Sequence, residues 1–311
     1  MYISIDPYIP LTIRDAEGNI INFNNKGNII IENLKTSEFT YKGKTLYFET
    51  KKPRWEALVL LNRDIKDISA RLDKKTRNKL NRAENNGISI IKDENKSLNK
   101  LYSFISKKGK KPLSFYKELS EQFESNIEVY YAVLSTEQLL INTRRNLEKE
   151  EEYNDSMNEK LQTITSENED YNTDLNKKME SDRLLNIYKE NLEKATNLLK
   201  NNPDGIVIGG TLVIKYDNAA FILVEGIDER FTYLNVSYLL KWHLIQTFNE
   251  QGYKYINLNA IVGEFEENNQ YSGLNESKLG FDSTITEYIG EFNMVINNFT
   301  YNLYKKVNKN K

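Results

Sequence analysis

Cysteine is absent from the 311 residues, which excludes disulfides, thiolate nucleophiles and Cys-based metal sites. There is a single histidine, His243, so a His-rich metal cluster is excluded as well. It follows Trp242 inside a helical pattern and reads as a packing or helix-surface residue, not a general base. No apolar run approaches the roughly 20 residues that span a bilayer. The opening Met1-Tyr-Ile-Ser-Ile-Asp-Pro7 lacks the basic-then-apolar layout of a signal peptide, and a cytoplasmic protein is the simplest reading. An excess of one charge is missing too. At a net charge of -2 no global field draws the chain to nucleic acid or membrane, so any such attraction needs local basic clusters.

Glycine and proline are absent from residues 138–200, where charged residues and Asn dominate. Much of the chain's polarity (mean hydropathy -0.65) sits in this one segment. Leu140, Leu147, Met157, Leu161 and Ile164 fit one heptad-like stripe, and Leu175, Met179, Leu185, Leu192, Ala195 and Leu199 fit another. Ser166–Asp170 is the only plausible reversal between them. The pattern predicts an antiparallel helical hairpin with limbs roughly 40 Å long at 1.5 Å per residue. Asn154 and Glu148–Glu152 interrupt the first stripe, which predicts loose packing there. Asn201–Gly205 ends the hairpin, an arm inserted between two strands of one domain.

Around the arm the chain is mixed α/β. Strands are expected at Tyr2–Ile5 and Thr45–Thr50 and in the run from Trp55 to Leu60, with a helix at Asn28–Leu34. Apolar positions Ile65, Ile68, Leu72, Leu80 and Ala83 predict one helix over Asp64–Glu84, unusually rich in Lys and Arg, stopped by Asn86-Gly87. Strand Ile88–Ile91, helix Leu98–Ile105, loop Lys107–Pro112, helix Phe115–Phe123 and strand Ile127–Leu134 follow. Beyond the arm come strands over Gly205–Lys215 and Ala219–Val224, a helix at Ser237–Gln251 and a strand at Tyr253–Leu258. A loop at Gly273–Phe281 leads to a last strand at Glu287–Phe292.

An ordered set of short motifs spans nearly the whole chain. It comprises Ile5-Asp-Pro7, Asn33-Leu-Lys35, Pro53-Arg-Trp55, Lys74–Gly87, Gly210-Thr-Leu-Val-Ile214, Asn235–Trp242, Gly273-Leu-Asn-Glu-Ser-Lys-Leu-Gly-Phe281 and Glu287-Tyr-Ile-Gly-Glu-Phe292. Together with the hairpin, these resemble the Fem family (FemABX) of aminoacyltransferases that build peptidoglycan interpeptide bridges. The resemblance implies an α/β fold of GNAT (acyl-CoA N-acyltransferase) type, and strand, hairpin, helix, strand, loop, strand over Gly205–Phe292 is the order of its acyl-transfer half. It divides the chain into a partial first GNAT-like half (1–54), a second GNAT-like domain (55–137 and 202–292) and the hairpin (138–201), with 293–311 packing back on the first half. By that pattern the chain starts inside the first half and is read as a shortened form. Three positions depart from the family: Ser277 where Phe is usual, Ser272 where Tyr is usual, and Asn257-Leu-Asn-Ala260 in place of Asp-Phe-Gly-Gly.

The reaction so implied is aminolysis of an aminoacyl-tRNA ester by an amine on the stem peptide of a lipid-linked precursor such as lipid II. The ester is already activated, so neither a covalent nucleophile nor a cofactor is expected; the site must hold two large anionic substrates and stabilise the oxyanion. By resemblance Lys278 is the catalytic candidate, sitting in the site and facing the precursor, where its ammonium pairs with phosphate or polarises the carbonyl, set against a solvated loop lysine. Lys110 or Lys111, in the Lys107–Lys111 loop, stands where the family has an arginine on the precursor's diphosphate, and a point charge there replaces a bidentate fork. Arg77 is a phosphate contact or a clamp of its helix on the sheet. Tyr238 and Asn257 are further substrate-contact candidates, although Tyr238, one turn from Trp242, also reads as core. Lys74, Lys75, Lys79 and Arg82 form a basic face that is either a tRNA footprint or a solvated surface. Partners implied are aminoacyl-tRNA, lipid II, peripheral contact with the inner membrane face, and a homodimer or a second Fem-type chain through the hairpin. An inactive or accessory Fem-like subunit is the alternative from another class. An acyl-CoA transferase is disfavoured, because no Arg/Gln-x-x-Gly-x-Gly/Ala loop opens a helix.

Overall fold

Three short strands open the chain, β1 (Tyr2–Ile5), β2 (Pro10–Arg14) and β3 (Ile20–Phe23), followed by α1 (Asn25–Thr36), β4 (Thr40–Tyr41) and β5 (Trp55–Leu60). Next come α2 (Ile65–Arg71), α3 (Lys74–Asn85), β6 (Ile88–Lys92), α4 (Leu98–Ile105), α5 (Leu113–Phe123) and β7 (Ile127–Leu134). The arm is α6 (Thr136–Thr163) and α7 (Tyr171–Asn201). The chain then runs through β8 (Ile206–Tyr216), β9 (Ala219–Ile227), α8 (Val236–Glu250), β10 (Tyr255–Ala260), α9 (Ser272–Leu279), β11 (Thr284–Tyr288) and β12 (Phe292–Val295). This computed structural model describes residues 2–50, 52–105, 111–163, 170–266 and 269–302.

Nine strands form one mixed sheet in the order β3-β2-β11-β5-β10-β9-β8-β7-β6, and β1-β12-β4 form a second, smaller one. Within the large sheet only β9 and β10 run parallel. Period-two alternation sorts β7 between two cores. Tyr130, Ala132 and Leu134 join Leu80, Ala83, Leu240 and Leu244 of α3 and α8, whereas Val129 and Tyr131 join Leu101, Ile105 and Tyr116 of α4 and α5. Leu240, Leu244, Ile245 and Phe248 are fully buried on α8, and each such side chain contributes on the order of 1.5–3 kcal/mol. The strands of residues 1–54 are shared between the sheets: β2 extends the large one against β11, while β1 and β4 flank β12 in the small one. Tyr301 stacks on Tyr2 at 5.1 Å.

Several expectations are corrected. Thr45–Thr50 is not a strand: Trp55 Nε1 donates to the Thr45 carbonyl (2.9 Å) and Gly263 N–H to the Leu46 carbonyl (2.7 Å), which pins the segment as a loop. The single helix over Asp64–Glu84 is two. Leu72 is extended, and the Asp73 carboxylate accepts the Thr76 N–H to cap a new helix. The stretch around Lys278 is helical, α9, not a loop.

The arm joins adjacent antiparallel strands, with Leu134 opposite Ile206 at its root. Its heptad stripe needs revision on the second limb. The buried seam residues of α7 are Asp174, Ser181 and Ala195, seven or fourteen apart, whereas Met179 is 61% exposed. On α6 the seam passes through Leu147 and Asn154. Asn154 does not loosen it, because its Nδ2 donates to Ser181 Oγ (3.1 Å) and to Asp182 Oδ1 (2.9 Å), while Ser181 donates to Glu150 Oε1 (2.6 Å). Leu139 and Ala195 at the root join the main core. Among the described residues no helix is long and apolar enough to cross a membrane.

Candidate functional site

The parallel pair β9–β10 is joined only at Tyr255/Ala219, Ile256/Ala220 and Asn257/Phe221. Beyond that point the strands part. Asn259, held at a left-handed φ of 72°, turns its amide into the opening and donates to the carbonyls of Ile222 (3.0 Å) and Leu223 (3.1 Å). On the other edge the β10/β5 register slips between Asn257 and Ala260. The result is a splayed strand pair whose floor is made by one side chain.

Polar groups gather around the opening. Glu56 on β5 is buried, and its Oε2 accepts from Tyr8, from Asn257 Nδ2 (2.6 Å) and from Tyr288 (2.9 Å). Burial, then the Glu56 charge, pushes the Tyr8 and Tyr288 phenols well above their ordinary range. From α8 the buried Lys241 donates to both oxygens of Glu225 on β9 (3.2 and 3.1 Å), and Ser237 donates to the same carboxylate (2.5 Å).

Lys278, from α9, donates to the Ala260 carbonyl at the end of β10 (2.6 Å). Burial pulls its pKa from 10.5 down to about 7, assisted by the Lys241 ammonium and opposed by the Glu225 and Glu56 carboxylates. Burial thus favours the neutral amine, and Lys278 lies in electrostatic reach of both polar groups.

The motif that carries Lys278 is a docking device. Asn275 accepts the Val262 N–H (3.0 Å) and donates to the carbonyls of Val262 (3.1 Å) and Glu264 (3.2 Å), bolting α9 to the loop after β10. Gly280 presses on the α3 cap: its carbonyl accepts the Asp73 N–H (3.0 Å), and a Cβ there would overlap Thr76 Oγ1 and the Asp73 carboxylate. The side of α9 bearing Ser272, Asn275 and Glu276 lines a cavity of about 830 Å³ with Asp15, Glu17 and Glu264. Lys278 does not line it.

The remaining sequence candidates are scattered. Asn257 lies in the opening as described. Tyr238 is buried against Phe281, and Lys79 donates to its hydroxyl (2.7 Å) and sits 4.5 Å over its ring. Lys75 pairs with Glu276 of α9 (3.4 Å), and Lys74 and Arg82 are exposed. Arg77 is exposed and reaches back to the Ala70 carbonyl (3.4 Å), across the elbow between α2 and α3. Lys111 lies over the Phe115 ring at 5.0 Å, and Lys110 lies outside the described residues. His243 packs edge-on against Tyr130.

Glu56, Tyr8, Tyr288, Glu225 and Lys241 escape a reading of the sequence. Glu56 leaves one trace, a lone carboxylate in the strand run Trp55-Glu-Ala-Leu-Val-Leu60. Two quoted motifs meet in space: Arg54 of Pro53-Arg-Trp55 pairs with Glu287 of Glu287–Phe292 at 3.0 Å, both buried.

The comparisons agree with this architecture. A family model described as the FemAB family matches residues 1–309. The chain belongs to the FemAB family. It is 23% identical to the aminoacyltransferase FemA of Staphylococcus epidermidis over 319 residues, covering 99% of the chain and 75% of that relative. It is 22% identical to the aminoacyltransferase FemB of Staphylococcus epidermidis over 317 residues, covering 99% and 74%. The crystal structure of FemX shares the fold with a TM-score of 0.63 at 16% identity, over 97% of this chain and 74% of FemX. The FemAB fold here is thus a mixed α/β sheet opened at β9/β10, with a helical arm between β7 and β8.

Proposed function

We propose that this FemAB-family chain moves an amino acid from aminoacyl-tRNA to an amine on the stem peptide of a lipid-linked peptidoglycan precursor. The names of its FemA and FemB relatives support aminoacyl transfer. The observation that carries the reading is the parted β9/β10 pair with the Lys278 amine held on the Ala260 carbonyl (2.6 Å) at its mouth. The acceptor nitrogen attacks the ester carbonyl, a C–N bond forms and the C–O bond to the ribose breaks. Neutral Lys278 takes the proton that the attacking nitrogen sheds and passes it to the departing ribose oxygen. A base with a pKa near the working pH suits that exchange. Asn257 and Glu56 shape the opening, and the lipid-linked acceptor brings the chain to the membrane face.

The test combines the pure chain, lipid II and a tRNA pool charged with labelled Gly, Ala or Ser. Label should reach lipid II, with the rate of Lys278→Ala reduced more than about 100-fold. Transfer at the wild-type rate by Lys278→Ala would refute the role given to the lysine. Transfer seen only after adding a second Fem-type chain would replace this reading by that of an accessory subunit.

A further inference from the structure

Among the described residues five carboxylates are buried: Glu56, Glu128, Asp174, Glu287 and Glu291. Four are matched by cations, Glu128 by Lys92 and Lys215, Asp174 by Lys160 and Lys177, Glu287 by Arg14 and Arg54, and Glu291 by Lys42. Glu56, 4% exposed, has no ion-pair partner among the described residues. Its Oε2 collects the hydrogen bonds of Tyr8, Asn257 and Tyr288, and its Oε1 receives none from the described residues. Lys278 is within electrostatic reach but donates to the Ala260 carbonyl instead (2.6 Å). A buried charge is costly unless it is paired, so this carboxylate asks for a cation from outside the chain.

Strand register sets where that cation sits. Glu56 on β5 is opposite Ala260 on β10, and paired strands lie about 5 Å apart. Glu56 and Lys278 therefore converge on one residue of β10, at the end where the strands part. Tyr8, which is 45% exposed, stacks on Tyr288 at 4.1 Å and reaches Glu56 with its hydroxyl, so one half-exposed ring links the carboxylate to the surface. A divalent metal ion is a poor occupant. It needs about six oxygen ligands, whereas the described residues hold no group of three or more acidic or histidine side chains fit for a metal. An ammonium needs one carboxylate to make a charge-assisted hydrogen bond.

We propose that Glu56 seats the α-ammonium of the donor's aminoacyl group, and so selects an amino acid ester over an ester that lacks the amine. The inference rests on the tRNA-dependent reading and adds which group of the donor the chain recognises. The acceptor nitrogen is the less suitable guest. It must shed protons to attack, and a carboxylate beside it favours the charged form that cannot. The donor's α-nitrogen stands one carbon from the carbonyl under attack. Held as an ammonium on Glu56 Oε1, it fixes the ester against Lys278 and cannot compete as a nucleophile. No bond is made or broken at Glu56.

The experiment measures binding of charged tRNA to the full chain without lipid II, with transfer to lipid II run beside it. Gly-, Ala- and Ser-tRNA are each set against the matching α-hydroxyacyl-tRNA, which carries a hydroxyl in place of the amine. For at least one of the three, wild type should bind the aminoacyl form about 10- to 100-fold more tightly, the range of a charge-assisted hydrogen bond. Glu56→Gln should bring the two forms within about threefold by weakening the aminoacyl form alone. Glu56→Asp, which keeps the charge, should retain part of the preference. Equal binding of both forms by wild type overturns the proposal with no variant needed. Equal losses for both forms in Glu56→Gln, or a change confined to the KM for lipid II, overturn it too. Transfer by wild type without preference for the amine sinks the role of Glu56 and leaves the function standing. A Glu56-dependent preference in binding without any transfer does the reverse.

Discussion

Lys278 carries two opposed consequences of its burial. In the unfolded chain its pKa returns to the ordinary lysine value, so between about pH 7 and 10 the unfolded state binds more protons than the native state, and stability rises with pH across that window. Lys278→Met removes the penalty. At pH 7 it should be more stable than wild type by about 1–3 kcal/mol, an advantage that shrinks towards pH 10 in thermal melts, while transfer is lost. With Lys278 as the proposed base, log kcat/KM should climb with unit slope below about pH 7 and level off above it. A flat wild-type profile from pH 6 to 8 would exclude Lys278 as the base. Arg54 behaves differently. It is buried and donates to Glu287 (3.0 Å), the Tyr41 hydroxyl (2.8 Å) and the Gly43 carbonyl (3.0 Å). Arg54→Met strands the Glu287 carboxylate with Arg14 and Thr12 alone and should cost about 3–5 kcal/mol in urea unfolding.

Among the elements, α9 sets the geometry of the site because it is clamped at both ends. Asn275 holds its first half to the loop after β10, and Gly280 closes its last turn on the Asp73 cap. Gly280→Ala should therefore lower stability by about 1–3 kcal/mol and also depress transfer, since the Cβ forces α9 off α3 and moves Lys278 from Ala260. A stability loss with untouched kcat would show that α9 position is not transmitted to the site. The motif Gly273–Phe281 was legible in the chain, but its helical state was not. Two glycines and a mid-segment Asn weigh against a helix by propensity, and the contacts of Asn275 and Gly280 outweigh that. The same limit applies to α7. A polar seam of Asp174 and Ser181 leaves no hydrophobic period to read, so the stripe drawn through Met179 falls on the exposed side.

At the scale of the molecule, a nine-stranded sheet carries a long arm whose root alone joins the main core. Replacing residues 154–181 by four Gly-rich residues, which span up to about 13 Å, should leave the body's unfolding midpoint within a few degrees. Loss of cooperative unfolding in calorimetry would show that the distal arm is part of the fold's stability. Charge differs between two cavities, the one beside α9 and a larger one at the arm root: carboxylates such as Asp15, Glu17 and Glu264 outnumber Arg63 and Arg71 in the smaller, while Arg82, Arg145, Lys149, Lys194 and Arg230 face Glu84 alone in the larger.

The sequence by itself determined most of the element types, the arm and its place between two strands, and the family motifs with Lys278 among them, because periodicity, glycine stops and short motifs are local properties of a chain. Tertiary structure alone decided which charges meet. Glu56 meets Asn257 and Tyr288, Glu225 meets Lys241, Arg54 meets Glu287, and Arg82 meets the arm root. Most of those partners lie more than 50 residues apart, and strand register or helix docking sets their distance, so no local pattern encodes it.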